Sequence, residues 1–166
     1  MEELTLGEPW ERRDALEEQA ASVLGHMLFA FSLLDVNLGL YLEALEYGET
    51  IACRTEAVEK LNFHRRIVRL EKHVEGRLPA GSERRRAYEA WIQRAQSVRL
   101  QRNDLVHGRW GVEARKGKVV NVLGLPTSGN QQVYEYSIEQ LKDVLCELRE
   151  LLEELARLRS DWPLES

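Results

Sequence analysis

Arginine holds phosphate oxygens through a planar two-pronged fork, and histidine is the side chain that gives and takes protons near neutrality. The two types meet in the segment Arg102-Asn103-Asp104-Leu105-Val106-His107-Gly108-Arg109-Trp110. There His107 can serve as acid or base, while Arg102 can steady charge developing on a phosphate. Asn103 lies four residues before His107, so on a helix the two share a face. Arg109 can add to a phosphate cradle or stand as an ordinary surface arginine. Asp104 reads as a solvated acid. A purely structural reading competes for the whole segment: His107 would cap the last carbonyls of a helix, with Arg102 in a salt bridge. Other chemistries find no foothold. No histidine or acidic cluster has zinc-protease spacing, and no pair of Glu-x-x-His motifs marks a di-metal bundle. The stretch from Gly124 to Gly129 lacks the lysine and following helix of a phosphate loop. His26, His64 and His73 stand alone and read as surface or core-edge residues. Neither a metal nor a cofactor is expected.

The elements that must position this segment are helical. Ala20, Leu24, Met27, Phe31, Leu34, Leu38, Tyr41 and Leu45 step by fours and threes, which predicts a first helix over about 9–47. Pro9 suits its first turn and Gly48 its end. A second helix is expected over about 55–78, with Phe63, Ile67, Leu70 and Val74 on one face. Pro79, Gly81 and the N-cap candidate Ser82 restart the chain. The third helix, about 82–107, turns Tyr88, Trp91, Ala95 and Val98 inward and delivers the Arg102–His107 segment at its end. Three short strands follow at 110–114, 118–123 and 132–136, with Arg115-Lys116-Gly117 as a hairpin loop. Ser137 and Gln140 make a capping box for a last helix over about 138–160, striped by Ile138, Leu141, Leu145, Leu148, Leu152 and Leu155. The expected architecture is an all-α four-helix bundle in one domain, with a small antiparallel β-insertion over about 109–136.

Asp35 flanks the main stripe of the first helix in a seven-residue series with Leu28 and Leu42. An acid there wants a cation. Pairing with Arg102 or His107 is one expectation, and a partly exposed carboxylate turned to water is the other.

Charge is distributed unevenly. The 166 residues carry 23 Lys and Arg against 28 Asp and Glu, a net −5 that disfavours a protein coated in positive charge for gripping nucleic acid. Resolved along the chain, residues 1–63 hold 4 basic and 13 acidic groups, residues 64–118 hold 15 and 6, and residues 119–166 hold 4 and 9. The middle third, +9, contains the segment above. Of the 23 cations, 18 are arginine, the form best matched to phosphate. Solvated helix faces explain such a run equally well. Two distant cysteines, Cys53 and Cys146, fit a reducing compartment. The start Met-Glu-Glu-Leu is unlike a signal peptide. Met27–Leu42 is short for a bilayer span and contains Asp35 and Asn37, so a cytoplasmic protein with no membrane partner is expected.

The segment at 102–107 resembles the signature of the HEPN superfamily: an arginine, a polar residue, a short spacer and a histidine near a helix end in an all-α bundle. Composition alone supplies only about 0.04 matches to the form with Asn, Asp or His after Arg and a four-residue spacer. The specific part of the likeness is these few residues. It implies a metal-independent endoribonuclease, often dimeric, of the kind found in toxin–antitoxin and phage-defence systems. Inactive relatives that bind a partner protein or nucleotide are the alternative. On that resemblance Arg102 and His107 are the catalytic pair and Asn103 is the supporting polar position. Asp35 is a second supporting residue, and Arg99 and Arg109 are RNA contacts. RNA, a second copy of the chain and a cognate antitoxin or partner protein are the implied partners.

Overall fold

The computed structural model describes residues 8–48, 56–127 and 129–164. Helix makes up 74% of these residues, and the rest includes one three-stranded antiparallel sheet. The order is α1 (Glu8–Tyr47), α2 (Glu56–Glu59), α3 (Phe63–Arg77), α4 (Glu83–His107), β1 (Arg109–Glu113), β2 (Lys118–Leu123), β3 (Gln132–Tyr136) and α5 (Ile138–Asp161). Contacts gather the chain into two compact units, Met1–Phe29 with Gln101–Cys146, and Ala30–Leu100 with Glu147–Ser166.

The second unit is built on helical stripes. Leu34, Leu38, Tyr41 and Leu42 of α1 are buried with Ile67, Leu70 and Val74 of α3, Tyr88, Trp91, Ala95 and Val98 of α4, and Leu148, Leu151 and Leu155 of α5. Each large apolar side chain taken fully out of water contributes about 1.5–3 kcal/mol. The indole and phenol groups that go in with them are matched. Trp91 Nε1 donates to the Leu151 carbonyl at 2.8 Å. Tyr41 and Tyr88 share a hydroxyl–hydroxyl bond of 2.8 Å, and the Tyr88 hydroxyl also reaches the carbonyls of Leu158 and Trp162. Burial first, then the bond to Tyr41, pushes the Tyr88 phenol well above its ordinary value.

One helix expected as continuous is broken. Instead of a single element over 55–78, α2 ends at Glu59 and α3 starts at Phe63. Asn62 is the cause. Its extended backbone and its Oδ1, which accepts from Arg65 N at 3.0 Å, make it an N-cap that restarts the helix. Arg66 then reaches α1, donating from Nη1 to the Asp35 carbonyl at 2.9 Å and the Asp35 carboxylate at 2.8 Å. Gly39 makes room, because a Cβ there would lie 3.1 Å from that guanidinium.

The other expected boundaries hold to within a residue or two. Gly48 leaves α1 at φ 73°, and Ser82 Oγ accepts from Arg85 N at 3.2 Å. Ser137 and Gln140 bond reciprocally at the start of α5. The hairpin loop is a 3-10 turn over Ala114–Lys116 closed by Gly117 at φ 60°.

In the first unit the sheet runs β1-β2-β3, both pairs antiparallel. Arg109 pairs with Val122, Trp110 with Asn121, and Val119 with Tyr136. β2 alternates, with Val119 and Asn121 buried, while β3 is largely exposed.

α1 is longer than the apolar run within it. By length and composition it is sufficient to cross a bilayer, with an 18-residue window of mean hydropathy 1.6, of which 28% is buried. Shortness of Met27–Leu42 therefore no longer argues against a membrane.

Candidate functional site

The C-terminal turn of α4 exposes carbonyls that the helix itself cannot bond, and the residues after it must turn at once into β1. Two cross-strand neighbours solve this. Trp110 and Asn121 face each other in register, so their side chains leave the same side of the sheet. Trp110 Nε1 donates to the Leu105 carbonyl at 2.8 Å, and Asn121 Nδ2 donates to the Asp104 carbonyl at 2.9 Å. Asn121 is 0% exposed, the buried polar residue of the described core. Its Oδ1 lies against Gly108, where a Cβ would approach to 1.3 Å, so only glycine fits between helix and sheet. The Trp110 and Tyr136 rings stand 6.0 Å apart. The Tyr136 phenol is pushed up by burial, then by the nearby charge of Asp104 and by Tyr134.

These caps leave His107 to solvent. It is the basic residue of the last turn of α4, it is exposed, and its ring makes no hydrogen bond among the described residues. The capping role open to it in the sequence is taken by Asn121 and Trp110. Arg102 is half-buried, and its Nη1 donates to Asn103 Oδ1 at 3.4 Å. Asn103, also half-buried, lies one helical turn before His107. Five residues at about 100° each turn Arg102 and His107 roughly 140° apart around the helix axis. Asn103 thus lies between them, touching Arg102 and sharing a face with His107.

The remaining predicted residues divide. Arg109, at the start of β1, is exposed and donates to the Gly124 carbonyl at 3.3 Å. Arg99 is half-buried, with Nε bonded to Gln96 Oε1 at 3.0 Å, and the Gln96 amide in turn meets His64 Nδ1 at 3.2 Å. Asp35 is held by Arg66, not by Arg102 or His107. Its expected pairing with the motif gives way to a clasp of α1 on α3. Cys146 is exposed on α5, and Cys53 lies outside the described residues. No group of three metal-ligating side chains occurs among the described residues.

Sequence reasoning missed Asn121 and, while Gly108 stands as the stop of the third helix, missed that it is pressed against that side chain. Asn121 interrupts Val119-Val120-Asn121-Val122, a run of strong strand formers, and a polar residue poorly suited to strands in such a run is the signal that could have found it. What the folded chain defines is thus a mostly helical protein with a three-stranded sheet that seats the exit of one helix. The chain matches no family model, no curated protein and no solved structure.

Proposed function

We propose that this chain is a metal-independent endoribonuclease of the HEPN type, with an HEPN-like helical frame and a site completed by two copies of the chain. The observation that carries this reading is the unengaged His107 ring at the end of α4, one turn past an Asn103 that Arg102 touches. In this reading a base takes the proton from a ribose 2′-hydroxyl, whose oxygen attacks the adjacent phosphorus. The bond to the 5′-oxygen breaks, and an acid protonates that leaving oxygen. Arg102 offsets the charge on the phosphate oxygens, and Asn103 orients the site. A single histidine cannot be base and acid at once, so a two-fold pair supplies His107 twice. Arg109 adds a further contact to the RNA backbone. Arg99 is committed to Gln96 and reaches RNA only by exchanging that bond. The chain as a whole is net negative while the stretch that holds the site is positive, so RNA contact is local, salt-sensitive and modest in affinity. A cytoplasmic toxin or phage-defence enzyme with a cognate antitoxin or partner protein fits this chemistry.

A second reading has its own support. The divergence of Arg102 and His107 by roughly 140° suits a non-catalytic dimeric module that binds a partner protein or nucleotide. Purified chain incubated with RNA and EDTA separates the two. Cleavage should survive chelation and vanish in Arg102→Ala and in His107→Ala. Cleavage left intact in His107→Ala sinks the enzyme reading.

A further inference from the structure

The buried stripe of α1 leaves an opposite face that its own chain does not cover. Phe29, Leu33, Val36 and Leu40 are 74%, 54%, 53% and 53% exposed. Their spacing of four, three and four is the seam pattern of two packed helices, continued by His26 at one end and Glu43 at the other. Ser32 and Asn37 flank the seam, and no charge interrupts it between His26 and Glu43. The four apolar residues expose roughly 400 Å² per copy, about the largest apolar patch a monomer tolerates, and two such patches with their flanks approach the ~1,000 Å² of a specific interface.

We propose that this face of α1 binds the same face of a second copy, the two helices running antiparallel about a two-fold axis between Leu33 and Val36. Antiparallel seams set each position against its counterpart in the other half of the repeat. In this register Leu33 meets the other copy's Val36, Phe29 meets its Leu40, and His26 meets its Glu43. The polar ends decide the direction. Glu43 is half-buried, and its Oε1 is buried with no hydrogen bond among the described residues, so an N–H donor brought to that carboxylate is favourable. His26 is exposed, and its ring N–H supplies such a donor from each copy. Parallel pairing would set Glu43 against Glu43, two carboxylates that repel, and leave both without that donor. A bilayer suits the face less well. The seam is about 16 Å long, half a hydrocarbon core, and the other side of α1 is buried in its own chain. Glu17 and Glu18 before the seam, with Glu43 and Glu46 at its end, repel an anionic leaflet. This pairing goes beyond the ribonuclease reading, because the seam and its charges carry it without reference to α4.

Sedimentation velocity on the full chain, without RNA, tests it. The wild type should sediment at twice 19.2 kDa, and Val36→Glu at the monomer mass with unchanged helix content by circular dichroism. Val36 is exposed, so the substitution spares the fold, and a loss of at least 100-fold in dimer affinity is expected. His26→Glu alone should weaken the dimer at least tenfold. Combined with Glu43→Lys it should return to within about threefold of wild type. A wild-type chain that stays monomeric to 100 μM, or a Val36→Glu dimer of unchanged affinity, overturns the proposal. So does a monomer that floats with vesicles of phosphatidylcholine and phosphatidylglycerol. A wild-type dimer lost in Val36→Glu but inert toward RNA supports this surface and removes only the ribonuclease reading.

Discussion

Tyr88, Trp91, Ala95 and Val98 lie on α4 and are buried to 2% exposure or less, whereas Arg102, Asn103 and His107, further along the same helix, are half-buried or exposed. The first stretch is held by burial: its indole and phenol are taken out of water and bond the carbonyls of Leu151 and Trp162. The second is held by two side chains of the sheet that bond the helix from outside. A helix end fixed by neighbours does not need its own last residue for stability. That difference separates what α4 contributes to folding from what it offers to a ligand.

The strongest way to break this contrast is at Trp91. Trp91→Ala should cost about 3–5 kcal/mol, since it removes the largest fully buried side chain among the described residues and leaves a cavity beside the Leu151 carbonyl of α5. Denaturant unfolding measures it. A loss under about 1 kcal/mol would mean that this stretch is no more structural than the end of the helix.

At the junction the expected loss is smaller. Gly108→Ala drives a methyl group into the Asn121 amide, which is buried and tied to the Asp104 carbonyl, and should cost about 1–3 kcal/mol. The penalty should shrink in an Asn121→Ala background, so a double-mutant cycle shows whether these two residues form one lock. Additive effects would dissolve it.

Tyr88 sharpens the contrast through pH. Its phenol is pushed well above the ordinary value, chiefly by burial, so the folded chain stays protonated where the unfolded chain has ionised. The stability this represents is complete below about pH 10 and drains as pH rises above it. Tyr88→Phe should flatten the alkaline limb by about 1.4 kcal/mol per pH unit in urea melts above pH 10. An unchanged slope would place the phenol outside the core.

Much of this was legible in the sequence because periodicity reports burial directly. The fours and threes through Ala20–Leu45, Phe63–Val74, Tyr88–Val98 and Leu141–Leu155 mark faces that are largely buried, and the Val- and Tyr-rich runs mark the three strands. The break at Asn62 was not legible, because an N-cap inside an otherwise apolar-periodic stretch costs only a turn of helix. The sequence leaves Asp35 either paired with Arg102 or His107 or turned to water, and its actual partner, Arg66, comes from an element whose start is set by the Asn62 cap. At the motif the sequence could offer His107 as either catalyst or cap. Only register decides, because the competing caps come from Trp110 and from Asn121, which lies 14 positions beyond His107 in the chain and beside Trp110 in the sheet.

The smallest effect on stability is the most informative. His107 is exposed, bonds nothing among the described residues and ends a helix whose carbonyls other residues cap. His107→Ala should therefore shift unfolding by no more than about 0.5 kcal/mol. On the ribonuclease reading, RNA cleavage in the same preparation should fall to background, so one variant separates that proposed chemistry from the architecture of the helix end. If His107→Ala instead lowered stability by about 2 kcal/mol, the ring would be a structural partner, and the two halves of α4 would differ in exposure but not in task.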